Sequence, residues 1–275
     1  MRVFPDRTVN YEMTQSVEGI QMENFKDHVA IVTGAGLGIG FGIARALSIR
    51  GAKVLLNDER KELADQACRV ITDEGGICEV CVGDVADPEF TKSMTTLAVR
   101  KFGKLNIAIA SAGITVFGDF LTYTPEQFQR VVSVNMGGSF FLAQQAALQM
   151  KEQNDGGAIL FMSSVTGHQA HKDLAAYGMT KAAVEMLAKA LVVELSAFGI
   201  TVNAIAPGAT LTERTLQDKE FKEIWAGITP LGKAATVDDI VNAALFFVSP
   251  ASRHITGQSL IIDGGWTSVS PSPFK

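Results

Sequence analysis

The chain has 275 residues, 47% of them hydrophobic and 19% charged, which suits a compact globular protein with an ample core. A net charge of −5 with no basic cluster argues against nonspecific nucleic-acid binding. No apolar run approaches the roughly 18 residues of a membrane span, and three cysteines (Cys68, Cys78 and Cys81) in a chain without a secretory h-region point to the reducing cytoplasm.

Residues 1–24 carry no regular pattern and read as an N-terminal extension that can be flexible; Met22 could equally initiate the chain. From Phe25 onward short apolar runs alternate with helical patterns, with no Pro/Gly linker, so 25–275 is expected to be one domain. Strands are expected at HVAIVTG (28–34), KVLLND (53–58), CEVCVGDV (78–85), NIAIASAG (106–113), AILFMSS (158–164), ITVNAIAPG (200–208) and QSLIIDGG (258–265). Several are apolar almost throughout, as when both faces of a sheet are covered. Helical patterns fill the gaps at 39–51, 60–76, 87–103 and 124–153; the last opens with Thr124 as N-cap, Pro125 and Gln127 in a capping box. The alternation predicts an α/β fold, a doubly wound parallel sheet of about seven strands with helices on both faces. Cys78 and Cys81 lie three apart in a strand, on opposite faces, and read as strand residues rather than a metal or redox pair.

After the first strand, Gly34, Gly38 and Gly40 form G-x-x-x-G-x-G, with Leu37 and Ile39 between them. Such a turn lets backbone approach a phosphate, and the helix that follows supplies free N–H groups and a positive dipole end. The second strand ends at Asp58, 24 residues after Gly34, where a carboxylate can accept both ribose hydroxyls of an adenosine and repel a 2′-phosphate. Arg60 could bind a phosphate, so NADP stays open.

Tyr177 and Lys181 stand one helical turn apart, with Ser164 thirteen residues before the tyrosine. A fixed cation favours a phenolate, which suggests proton transfer at an alcohol oxygen. Alone the pair is weak, since Tyr-x-x-x-Lys arises by chance about once in 500 positions.

Together and in order, TGAGLGIG at 33–40, Asp84, Ala112-Gly113, Asn135, Ser164, Tyr177-x-x-x-Lys181, Pro207-Gly208 and IIDGG at 261–265 make the chain resemble a single-domain short-chain dehydrogenase/reductase from about Phe25 to Gly265. The resemblance implies a Rossmann fold, a nicotinamide cofactor and no metal. It makes Tyr177 the general acid/base, assisted by Lys181, which also binds the nicotinamide ribose. Ser164 would hold the substrate oxygen, and Asn135 would anchor a water in a proton relay. Asp84 and Val85 would meet the adenine, with Ala112 and Gly113 beside the adenosine. Pro207 and Gly208 would line the nicotinamide, with Thr210 and Thr212 completing that end. Where the family often has Asn-Asn-Ala-Gly, this chain has Ala110-Ser111-Ala112-Gly113, which loses an amide contact. Leu37, where NADP-preferring members often carry a basic residue, and Asp58 favour NAD over NADP.

The substrate region is expected around 165–176 and 209–233, the second a lid with Phe221, Trp225 and Ile228 at helical spacing; His168 and His171 could touch a polar substrate or be solvated. The resemblance extends to glucose-type dehydrogenases and 3-oxoacyl reductases, with oxidation of a sugar or polyol favoured. An NAD-binding protein without turnover is the competing class; it would lack one of Ser164, Tyr177 or Lys181. Leu187, Leu191, Val192 and Leu195 exceed what one sheet face requires, and the resemblance implies a homotetramer.

Overall fold

A computed structural model describes residues 24–270; the expected extension, apart from Asn24, lies outside the described residues. The strands in chain order are β1 (Val29–Val32), β2 (Lys53–Asp58), β3 (Ile77–Val82), β4 (Ile107–Ala110), β5 (Gly157–Met162), β6 (Ile200–Pro207), β7 (Thr210–Leu211), β8 (Ala235–Thr236) and β9 (Ser259–Ile262). Seven form one parallel sheet in the order β3-β2-β1-β4-β5-β6-β9, and β7 pairs separately with β8. The helices are α1 (Gly38–Ile49), α2 (Lys61–Asp73), α3 (Pro88–Phe102), α4 (Pro125–Val132), α5 (Ser139–Gln153), α6 (Ala175–Leu195), α7 (Phe221–Ile228) and α8 (Val237–Val248). This is the doubly wound Rossmann arrangement.

The apolar strands earn their pattern from burial on both sides. In β1, Ala30 and Val32 enter the core shared with α1, α2 and α8, while Val29 and Ile31 enter the core shared with α3, α5 and α6. A period of two sends alternate side chains to opposite faces, so neither face tolerates polar residues. The same alternation separates Cys78 from Cys81 into the two cores. Cys78 instead meets Cys68 of α2; that hydrogen bond pushes the Cys78 thiol up, together with burial, and holds the Cys68 thiol below the ordinary range against the opposing effect of burial.

The strand order reverses between β1 and β4, which lie side by side although β2 and β3 intervene in the chain. At such a switch point the connections leave in opposite directions, and a crevice opens beyond the carboxyl ends of the strands.

Two features depart from the sequence reading. The helix expected over 124–153 contains a π-helical turn, Ser133–Gly138, between α4 and α5. One extra residue per turn re-aims the side chains there: Asn135 is buried, and Gly138 lies so close to Val85 that a Cβ would sit 2.7 Å from its methyl group. On α6, Leu187, Leu191 and Leu195 pack against the core rather than outward. The outward apolar stripe is Met179, Met186 and Val193, seven residues apart, with Val193 85% exposed.

Candidate active site

A cleft of about 810 Å³ runs along the carboxyl edge of the sheet, from Asp58 at one end to Trp225 at the other. Every site residue expected from the sequence lines it except Asn135.

At the glycine turn, Gly34 and Gly38 have φ of +60° and +64°, the left-handed region that disfavours a side chain. A Cβ on Gly34 would stand 2.6 Å from the Ala112 Cα, so the turn and the end of β4 are in contact. Thr33 joins them: its hydroxyl accepts from the Ser111 and Ala112 N–H groups at 3.1 and 3.2 Å. A Cβ on Gly40 would overlap the Gly34 carbonyl. The turn therefore has no room for a Cβ at Gly34 or Gly40, and its bare backbone allows the close approach that a dinucleotide's phosphates need.

Asp58 is only 6% exposed. Its carboxylate accepts from the Gly36 N–H (3.1 Å) and the Arg60 N–H (3.0 Å), with Arg60 Nε at 3.5 Å. It is a fixed part of the turn rather than a solvated loop charge. Beside it, Asp84 accepts from the Ala86 N–H and pairs with Arg130, whose other nitrogen reaches Glu59 at 3.2 Å. Arg130, on α4, thus ties the ends of β2 and β3 together, a role with no sequence signal because its partners are 46 and 71 residues away. The pairs are partly exposed, worth roughly 0.2–1 kcal/mol each.

Tyr177 and Lys181 face the cleft from the first turns of α6. Lys181 is 4% exposed; its Nζ donates to the Met162 carbonyl at 2.8 Å and lies 5.4 Å from the centre of the Tyr177 ring. Gly113 makes room for it, since a Cβ there would stand 3.2 Å from that Nζ and 3.4 Å from Asn135 Oδ1. Just past β5 the backbone alternates two serines. Ser163 turns inward, its hydroxyl within hydrogen-bond reach of both the Lys181 carbonyl and the Glu185 carboxylate, and so pins α6 to the sheet. Ser164 turns into the cleft, where its Oγ accepts from the Thr166 N–H at 3.3 Å.

Asn135 sits behind this group, 1% exposed. Its Oδ1 accepts from the Ile114 N–H (2.9 Å), and its Nδ2 donates to the Ile114 carbonyl (3.0 Å) and the Thr180 hydroxyl (3.1 Å). Thr180 in turn donates to the Tyr177 carbonyl at 2.7 Å. The π-helical turn therefore braces both the strand end that carries Gly113 and the turn that carries Tyr177. Thr180 was invisible to the sequence reading.

Beyond β6, the Gly208 N–H donates to the Ile262 carbonyl, and a Cβ on Gly208 would stand 2.7 Å from that of Asp263. Burial pushes the Asp263 carboxyl up, but hydrogen bonds from the Thr267 hydroxyl and the N–H groups of Thr267, Gly265 and Trp266 outweigh it and hold it below the usual carboxylate range. That knot sets Trp266, which stacks on His171 (centroids 5.0 Å apart) and meets Trp225 edge-on at 5.4 Å. Phe221 and Trp225 of α7 line the cleft, but Ile228 is half exposed and does not. Of the two candidate histidines, His171 lines the cleft, whereas His168 is bound to Glu185 at 2.8 Å. Among the described residues no cluster of His, Cys, Asp and Glu could hold a metal ion.

A family profile described as enoyl-(acyl carrier protein) reductase matches residues 34–267. L-rhamnose-1-dehydrogenase of Scheffersomyces stipitis is 36% identical over 249 residues, covering 86% of this chain and 95% of that protein. The chain belongs to the short-chain dehydrogenase/reductase family. L-rhamnose 1-dehydrogenase (NAD(P)(+)) of a Sphingomonas species is 33% identical, covering 89% of this chain and 98% of that protein. Among solved structures, a gluconate 5-dehydrogenase from Burkholderia cenocepacia in complex with NADP and tartrate matches with a TM-score of 0.83 at 32% identity, over 90% of this chain and 99% of that one. As a short-chain dehydrogenase/reductase, this protein is an oxidoreductase that acts on CH–OH groups with a nicotinamide cofactor, NAD or NADP.

Proposed function

We propose that the protein oxidises a secondary alcohol of a sugar or polyol with NAD. The observation that carries this reading is a single cleft with the glycine turn and Asp58 at one end and Ser164, Tyr177 and Lys181 at the other. Residues 25–275 would act as one catalytic unit.

In this reading the Gly34–Gly40 turn and the start of α1 hold the cofactor's phosphates, Asp58 takes the adenosine ribose hydroxyls, and Asp84, Val85, Ala112 and Gly113 bound the adenine half. Pro207, Gly208, Thr210 and Thr212 bound the nicotinamide half. The nicotinamide supplies the acceptor for the substrate's hydride. Ser164 orients the substrate hydroxyl, and Tyr177 takes its proton as general base. Lys181 keeps a buried positive charge beside the Tyr177 ring, where negative charge develops. Asn135 holds the neighbouring backbone in register. Asp58 already accepts two backbone hydrogen bonds and cannot move aside for a 2′-phosphate without unpairing them, and Leu37 offers that phosphate no cation. Both points support NAD.

The sugar or polyol class is supported by the two rhamnose dehydrogenases and the gluconate dehydrogenase among the similar proteins. The exposed stripe of Met179, Met186 and Val193 on α6, with Phe140 and Leu148 of α5, supports burial against further copies, the homotetramer of our reading. No described helix is long and apolar enough to cross a membrane, and three free thiols agree with a cytoplasmic setting.

A screen of NADH absorbance tests this, with sugars, polyols, steroid alcohols and 3-oxoacyl thioesters offered with each cofactor. The expected result is reduction of NAD by a sugar or polyol. Turnover confined to 3-oxoacyl thioesters would replace the substrate assignment, and absence of turnover on any class would favour a nucleotide-binding protein without chemistry.

A further inference from the structure

Glu213, in the segment between β7 and α7, makes a contact that the reaction does not use. Its Oε2 accepts a hydrogen bond from the Gly38 N–H at 3.0 Å, across 175 residues of chain. Gly38 opens α1, and the residue before it, Leu37, provides no side-chain cap. The carboxylate thus satisfies one of the orphan N–H groups at a helix start, where the helix dipole also favours negative charge. The segment is tied for this posture. Thr215 Oγ1 donates to the Thr210 carbonyl at 2.8 Å and accepts from the Thr212 N–H at 2.8 Å, and the Thr212 methyl lies 3.7 Å from where a Gly38 Cβ would be. Glu213 is otherwise exposed, and among the described residues it has no ion-pair partner.

We propose that Glu213 is a determinant of cofactor affinity, an internal anion seated where the dinucleotide's pyrophosphate must bind. The inference rests on the reading that the glycine turn holds a dinucleotide. A single N–H cannot serve two anions, and two negative charges within a few ångströms repel. Cofactor arrival therefore has to release Glu213. Release unties the segment that follows β7 from the start of α1, and that segment leads directly into α7, the element that brings Phe221 and Trp225 to the substrate end. Cofactor binding and the position of the lid become one linked equilibrium.

ADP-ribose, which carries the pyrophosphate without nicotinamide, and adenosine, which carries neither, separate the contributions. By calorimetry, Glu213→Ala tightens ADP-ribose by roughly 3- to 30-fold, the equivalent of a cap contact, and leaves adenosine unchanged; Glu213→Gln, neutral but still an acceptor, falls between. The lid is read independently by fluorescence. The chain has two tryptophans, Trp225 and Trp266, in mutual contact, so ADP-ribose alters the wild-type emission, adenosine does not, and Glu213→Ala shows part of the altered emission without ligand. Equal or weaker ADP-ribose binding by Glu213→Ala overturns the proposal while leaving the nucleotide site intact. Failure of ADP-ribose to bind the wild-type protein overturns the nucleotide reading and this inference with it.

Discussion

Replacing Asn135 with alanine removes the bracing behind the site without touching the cleft. Three hydrogen bonds are lost, to the Ile114 N–H, the Ile114 carbonyl and the Thr180 hydroxyl, all around a side chain that is 1% exposed. At a net value near 1 kcal/mol per bond the loss is about 3 kcal/mol. For a chain of this size 1 kcal/mol moves the unfolding midpoint by about 2–4 °C, so the Tm of the ligand-free protein should fall by about 6–12 °C. Asn135→Asp keeps the acceptor for the Ile114 N–H but turns an oxygen toward the Ile114 carbonyl, so it should be no more stable than the alanine variant. Thermal unfolding followed by circular dichroism measures both. A midpoint for Asn135→Ala within about 2 °C of wild type would refute the claim that the π-helical turn braces the site.

Asp58→Ala should raise the NAD Michaelis constant and bring the NADP-to-NAD ratio of kcat/KM closer to one, because it removes both the ribose acceptor and the charge that faces a 2′-phosphate; steady-state kinetics with both cofactors check this, and an unchanged ratio would leave Asp58 only its role in bracing the turn. The depressed Asp263 carboxyl contributes stability that is present above the unfolded-state pKa of about 3.8 and is lost as pH falls through the lower folded value. Asp263→Asn should therefore lower the urea midpoint clearly at pH 7, with the gap to wild type closing below pH ~3.8; a gap constant down to pH ~3 would contradict the assignment.

Much of this molecule is written locally. Most of the parallel strands are legible because burial on both faces leaves them nearly apolar, and the helix start at Thr124 is legible because a capping box is a four-residue pattern, here closed by bonds of 3.0 and 3.3 Å. The glycine turn and the Tyr177–Lys181 pair are legible for the same reason. What escaped is tertiary. Arg130 meets Asp84, Glu213 meets Gly38 and His168 meets Glu185 only after the sheet has assembled. The outward stripe of α6 is not legible in the sequence because the helix is apolar on more than one side. Periodicity of 3.6 then identifies a face but not which one meets the sheet: Leu187, Leu191 and Leu195 face the core, and Met179, Met186 and Val193 occupy the outward surface.

Tyr177→Phe is the most direct test of the chemistry, since it deletes one oxygen and keeps the ring beside Lys181. In single-turnover NADH formation with the substrate found by the screen, hydride transfer should fall by about 10²–10⁴-fold, the range for loss of a general acid/base, while NAD affinity by calorimetry stays nearly unchanged. Hydride transfer at the wild-type rate in Tyr177→Phe, with NAD still bound, would contradict the account.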